Sequence, residues 1–241
     1  MKKILLLFLL LIVIISFPIS SEAKTKAKKL PDILTNNTEY NKKKLKYAYY
    51  IPKTAENPTE ALVLVPGLRG QGKRMITPEW KKLADEQKWL IIAPTFVFEG
   101  EKAFKEQQSY QYPKAWSGEA FNTIFKQLAE EKNIRINSLY MMGFSAGAQF
   151  VGRYIFLYPG KVKKAAIIAS GGDDTVSRKI PTEIFYGIGE KDTKIRQEAA
   201  EKFIEEAKKR GISIVNKIYP KTAHRYTKDM RTDIMAFFRQ N

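Results

Sequence analysis

The chain has 241 residues, of which 44% are hydrophobic and 12% aromatic, enough to fill one sizeable core and too many for a disordered protein. Its 42 basic against 25 acidic residues give a formal charge of +17, which favours anionic partners such as phospholipid headgroups, wall polymers or nucleic acid. It has no cysteine and a single histidine, His224, so disulfides, thiol nucleophiles, thiolate zinc sites and multi-histidine metal cages are all excluded.

Lys2 and Lys3 precede an apolar run from Ile4 to Ile15, and Ser21-Glu22-Ala23 places small residues at a cleavage site. Residues 1–23 therefore read as a secretory signal, since twelve apolar residues are short for a bilayer about 30 Å thick. An uncleaved anchor is the competing reading, because Lys24, Lys26, Lys28 and Lys29 crowd the far side of the run. Cleavage after Ala23 leaves 40 basic and 24 acidic residues, a balance of +16, on an exported chain of 218 residues. The lysines are scattered instead of forming an aromatic-interleaved stripe, so no specific nucleic-acid site is expected. Contact with an anionic cell surface or lipid is the partner this charge allows, and the oligomeric state is open.

A basic segment, residues 24–45, leads into a domain expected over 46–241. Lys46 to Ile51 reads as a strand ending at Pro52, and Leu62-Val63-Leu64-Val65 as a strand covered on both faces. A helix opens at Thr77-Pro78-Glu79, with a capping residue and Pro at the first helical position. Leu90 to Ala93 is the next strand, followed by a polar, aromatic connection from Thr95 to Pro113 and a helix from Gly118 to Lys132. The alternation continues with a strand at 138–142, a helix at 146–157, strands at 165–169 and 183–186, a helix at 194–209, a strand at 213–219 and a helix at 226–238. Strands alternating with helices imply an α/β fold, a mostly parallel twisted sheet with helices on both faces. The dozen or so residues between Ala169 and Glu183 are too few for a large cap domain.

Gly143-Phe144-Ser145-Ala146-Gly147 stands directly between a strand and a helix, the context that G-x-S-x-G requires. Such a turn lifts the Ser145 hydroxyl above the sheet and leaves the Ala146 N–H at a helix N-terminus, where it can face a developing oxyanion. Serine needs a base, and His224 lies in the loop between the last strand and the last helix. Asp192, at the end of Gly187-Ile188-Gly189-Glu190-Lys191-Asp192, is the expected orienting acid, in competition with Asp173 and Asp174 and with its own use as a helix cap. Glu190 is a weaker candidate, and Asp229 and Asp233 read as exposed helix charges. The order Ser145, Asp192, His224 is that of an α/β-hydrolase triad. A second oxyanion N–H is expected from Leu68 or Arg69, in the glycine-rich turn after the Leu62–Val65 strand. Gly67 to Lys73 also fits G-x-x-x-x-G-K, but Arg74 stands where a phosphate loop needs a hydroxyl for magnesium.

From Lys46 to Phe238 the sequence resembles the α/β-hydrolase superfamily, and within it the secreted carboxylesterases related to polyhydroxybutyrate depolymerases and feruloyl esterases. The resemblance rests on Tyr47-Ala48-Tyr49-Tyr50-Ile51-Pro52, Trp116-Ser117-Gly118, the Gly143–Gly147 elbow and the Gly187–Asp192 loop. It implies an α/β-hydrolase fold and a cofactor-free, metal-free hydrolase acting on a small or polymeric ester. Two residues depart from the pattern: Pro66 where many members have histidine, and Ala223 where glycine often precedes the histidine. Phe96, Phe98, Tyr110, Tyr112 and Trp116, with Phe144 of the elbow, are the aromatic residues placed to line an acyl pocket or to pack the connection onto the sheet. A peptidase or amidase on the same scaffold is the alternative chemistry. A non-catalytic basic surface protein would explain the charge but not the Ser, Asp, His order.

Overall fold

The structure is a computed structural model that describes residues 32–97, 105, 108–172 and 175–240. The expected signal segment, Phe98, and the competing acids Asp173 and Asp174 lie outside the described residues. Eight strands form one sheet among the described residues: β1 (Leu34–Tyr40), β2 (Lys43–Tyr50), β3 (Glu60–Val65), β4 (Leu90–Thr95), β5 (Ser138–Phe144), β6 (Val162–Ile168), β7 (Glu183–Gly189) and β8 (Ile214–Tyr219). Their spatial order is β1-β2-β4-β3-β5-β6-β7-β8. β2 runs antiparallel to both β1 and β4, and every other pairing is parallel.

The expected elements are present with shifted ends. Helices α1 (Gly72–Met75), α2 (Pro78–Gln87), α3 (Gly118–Lys132), α4 (Ala146–Leu157), α5 (Lys194–Lys209) and α6 (Lys228–Arg239) occupy the two faces of the sheet. Val63 and Val65 of β3 face Phe121, Phe150 and Phe203 of α3, α4 and α5. Leu62 and Leu64 face Trp80, Leu83, Ile234 and Phe238 of α2 and α6. β3 is thus apolar on both sides, which is why it reads as an unbroken Leu/Val run instead of an alternation.

Three elements were not expected, one of them the short helix α1. β1 falls within residues 24–45, so that segment is not merely a basic leader to the domain: it supplies an edge strand and part of its neighbour. Of its four inward residues, Asn36 and Thr38 are polar and are satisfied by α3, with Thr38 Oγ1 2.7 Å from Thr123 Oγ1 and Asn36 Nδ2 donating to Glu131 Oε2 at 3.2 Å, while Leu34 and Tyr40 pack against the core. Polar residues in such positions erase the hydrophobic alternation by which a strand is recognised. The β1–β2 turn, Asn41-Lys42, has both residues left-handed (φ 48° and 62°), the geometry of a two-residue hairpin. The other addition is a π-helical turn, Pro113–Ser117, immediately ahead of α3.

Candidate functional site

β5, β7 and β8 are parallel neighbours across β6, so the segments that follow them emerge at one end of the sheet. Ser145 follows β5, Asp192 follows β7 and His224 follows β8. At Ser145 the chain turns from β5 into α4 with φ 55° and ψ −118°, left-handed backbone that a residue with a Cβ rarely adopts. The Ser145 N–H donates to the Ile168 carbonyl at 2.9 Å, and the Ser145 carbonyl accepts from the N–H groups of Ala148 and Gln149. These bonds hold the strained residue in place from both sides.

The flanking glycines are required by close approach. A Cβ on Gly143 would lie 2.2 Å from the Gly147 carbonyl oxygen, and one on Gly147 would lie 2.4 Å from the carbonyl oxygen of Val65. Backbone atoms of β3 cannot move aside cheaply. We therefore expect Gly147→Ala to cost about 3 kcal/mol and to lower Tm by about 6–12 °C in a calorimetric melt.

His224 joins the two other side chains. Its Nε2 is 2.9 Å from Ser145 Oγ and its Nδ1 is 2.8 Å from Asp192 Oδ2. An ionised carboxylate only accepts, so the Asp192 contact places the imidazole proton on Nδ1 and leaves Nε2 to accept from the serine hydroxyl. The Asp192 carboxylate is fully buried, whereas the imidazole is 31% exposed, so one end of this relay is shielded and the other open to an incoming molecule. The Asp192 Oδ1 accepts from the Thr193 N–H at 2.8 Å.

The loops carrying the acid and the histidine are tied to each other. Lys191 N–H donates to the Thr222 carbonyl at 2.8 Å, Glu190 N–H to the Tyr219 carbonyl at 2.9 Å, and the Glu190 carboxylate accepts from the Lys221 N–H at 2.7 Å. Gly189 permits this approach, since a Cβ there would lie 2.2 Å from the Thr222 carbonyl oxygen. Glu190 is thereby engaged in bracing the histidine loop. Nor does Asp192 cap α5, whose N-cap is Thr193. Asp233, expected as an exposed helix charge, instead accepts from the Tyr219 hydroxyl and from Lys217 Nζ, both at 2.7 Å.

The turn after β3 lies beside the serine: a Cβ on Gly67 would sit 3.4 Å from Ser145 Cβ. Gly67 to Gly70 form a reverse turn closed by Gly70 N–H donating to the Gly67 carbonyl at 2.9 Å, with Arg69 exposed and left-handed (φ 61°) and Leu68 packed on the core. Ala146 opens α4, so its N–H has no acceptor within the helix. The phosphate-loop spacing has a packing explanation. A Cβ on Gly70 would meet Pro66 at 2.6 Å and one on Gly72 would meet the Ala93 carbonyl oxygen at 2.1 Å, and the helix that follows has only four residues.

The aromatic candidates divide. Phe96 and Tyr110 stack at 4.5 Å between ring centroids and are buried in the core. Phe96 is therefore not a pocket wall; its ring packs against Phe150 and Trp116, which anchors the connection to the sheet. Trp116 is half-buried, its indole N–H donating to the Gln108 carbonyl and its ring lying under Lys43 Nζ. Tyr112 is covered by the Arg153 guanidinium. Phe144, half-buried, stacks on the His224 imidazole at 5.1 Å, with Tyr226 6.1 Å beyond it. The sequence offers no periodicity that would separate the uses of Phe96, Tyr110, Tyr112 and Trp116, which lie in turns and connections.

A model of the dienelactone hydrolase family matches residues 46–237. The chain belongs to that family. As a dienelactone hydrolase family member it is an α/β-hydrolase of the esterase-like kind. No curated protein sequence matches it. Several solved structures share its fold. The poly(3-hydroxybutyrate) depolymerase LpqC of Bordetella parapertussis is 16% identical, with a TM-score of 0.66 over 86% of this chain and 90% of the other. An S-formylglutathione hydrolase of Agrobacterium tumefaciens is 15% identical, with a TM-score of 0.64 over 86% and 92%. The fluorophosphonate-binding serine hydrolase FphF of Staphylococcus aureus is 13% identical, with a TM-score of 0.62 over 86% and 96%. At these identities the likeness is one of fold.

Proposed function

We propose that this family member hydrolyses carboxylic esters through Ser145, His224 and Asp192. The observation that carries the reading is the pair of contacts at His224, 2.9 Å to the serine hydroxyl and 2.8 Å to a buried carboxylate. In a chain without cysteine the hydroxyl is the available nucleophile at this elbow. Ser145 Oγ attacks the ester carbonyl while His224 Nε2 takes its proton, and Asp192 stabilises the imidazolium that forms. The carbonyl oxygen becomes an oxyanion, held by the N–H of Ala146 and that of Leu68 or Arg69. Each such donor contributes roughly 10²- to 10³-fold in rate. The imidazolium then protonates the leaving alcohol, and water, deprotonated by the same nitrogen, releases the acid from the acyl-enzyme. Residues 1–23 support export of the enzyme, and the basic surplus supports contact with an anionic envelope.

Labelling with a fluorophosphonate probe tests the reading. The expected result is one adduct on Ser145, lost in His224→Ala, together with turnover of p-nitrophenyl esters whose acyl-length profile fixes the substrate class. An unlabelled, inactive protein would instead point to a non-catalytic scaffold.

A further inference from the structure

Arg196 stands in the first turn of α5, four residues beyond Asp192. Its Nη1 lies 3.7 Å from Asp192 Oδ1 and donates to Thr193 Oγ1 at 3.1 Å. The two carboxylate oxygens are thus divided: Oδ2 faces the imidazole, while Oδ1 meets the Thr193 N–H and the guanidinium. Behind the guanidinium is Gly171, where a Cβ would come within 3.1 Å of Arg196 Nε, so the glycine leaves room for the cation. Nε itself is buried without a hydrogen-bond acceptor among the described residues. The arginine therefore sits where its own hydrogen bonding is incomplete but its charge lies against a carboxylate with no solvent access. An ion pair of that kind is screened far less than one on the surface.

Resting on the triad reading, we propose that Arg196 is a positioning residue that holds the acid by Oδ1 and sets the acid limit of activity. A cation beside the Asp192–His224 pair disfavours a second positive charge close by. Removing that cation is therefore expected to move the acid limb of the rate profile up. Other charged groups on the segments that meet at the ring are Asp192 itself, Arg225 next in the chain, Glu190 and Lys191 in the acid loop, and Arg69 in the turn beside Ser145. Phe144 and Tyr226 add no charge, because burial pushes the tyrosine's ionisation far up. Glu190 is turned to the Lys221 N–H, and Arg196 makes its ion-pair contact with the acid itself.

The test is the pH dependence of kcat/KM for p-nitrophenyl acetate in the full chain, Arg196→Gln and Arg196→Lys, with fluorophosphonate labelling of each. At a separation of several ångströms across a partly buried site, one charge moves the acid limb by about half a pH unit. Arg196→Gln is expected to be displaced upward by that amount, about two-fold less active at the parent's midpoint and about three-fold less at the foot of the limb, yet within about two-fold at the alkaline plateau. Arg196→Lys is expected to return the limb toward its original position. A limb in Arg196→Gln superimposable on the parent, or equal displacement in the Gln and Lys variants, would overturn the inference while labelled Ser145 left the triad intact. Failure of the parent to label at Ser145 would overturn the triad reading and this inference with it.

Discussion

Ser145→Ala is expected to lose about 10⁵- to 10⁶-fold in kcat on p-nitrophenyl acetate, the largest effect of any single substitution in the chain. The alanine keeps the backbone of the elbow, including the donor bond from residue 145 to the Ile168 carbonyl at 2.9 Å, so the fold is expected to persist. What disappears is the hydroxyl that His224 deprotonates. The residual rate is that of water attacking a bound ester near the Ala146 N–H and the β3 turn, which retain their stabilisation of the oxyanion. Steady-state kinetics alongside a thermal melt separate the two quantities: kcat collapses while Tm stays close to the parent's. Wild-type turnover in this variant would show that the elbow is only a tight strand-to-helix connection.

Asp192→Asn is expected to lower kcat by about 10⁴-fold, through the tautomer instead of the shape. Asparagine matches aspartate in size, and its carbonyl oxygen can continue to accept from the Thr193 N–H that now donates to Oδ1 at 2.8 Å. Its amide NH₂ is then turned toward His224 Nδ1, where the carboxylate Oδ2 stood at 2.8 Å. A donor at that position makes Nδ1 the acceptor and moves the ring proton to Nε2, which can no longer accept from Ser145 Oγ. The substitution also leaves the Arg196 charge without its carboxylate. Kinetics of Asp192→Asn beside Asp174→Asn decide the assignment of the acid. A normal Asp192→Asn with an inactive Asp174→Asn would move it one strand back in the chain.

Much of the fold is legible because the parallel core announces itself. Leu62–Val65 and Leu90–Ala93 are continuous apolar runs because helices cover both of their faces, and α2 carries its own start signal in Thr77 and Pro78. β1 is not legible for the opposite reason: the two middle inward residues of this edge strand, Asn36 and Thr38, are polar and hydrogen-bond to α3, a partner 80 or more residues away in the chain. The aromatic residues of the Thr95–Pro113 connection have no periodicity, so packing alone could separate buried Phe96 and Tyr110 from half-buried Trp116.

For the site the division is sharper. The amino-acid order by itself determined which residue types were available: one histidine, no thiol, and a serine on a strand-to-helix turn with glycines two positions either side. Short-range sterics dictate that turn, so local sequence is enough to read it. Only the tertiary structure decided that Asp192 meets the imidazole, that Glu190 braces the neighbouring loop, and that Arg196, with Gly171 behind it, meets the acid's second oxygen. Those arrangements depend on the parallel pairing of β6, β7 and β8, which brings loops about 30 residues apart in the chain to one rim, and a distance through space has no signature in spacing along a sequence.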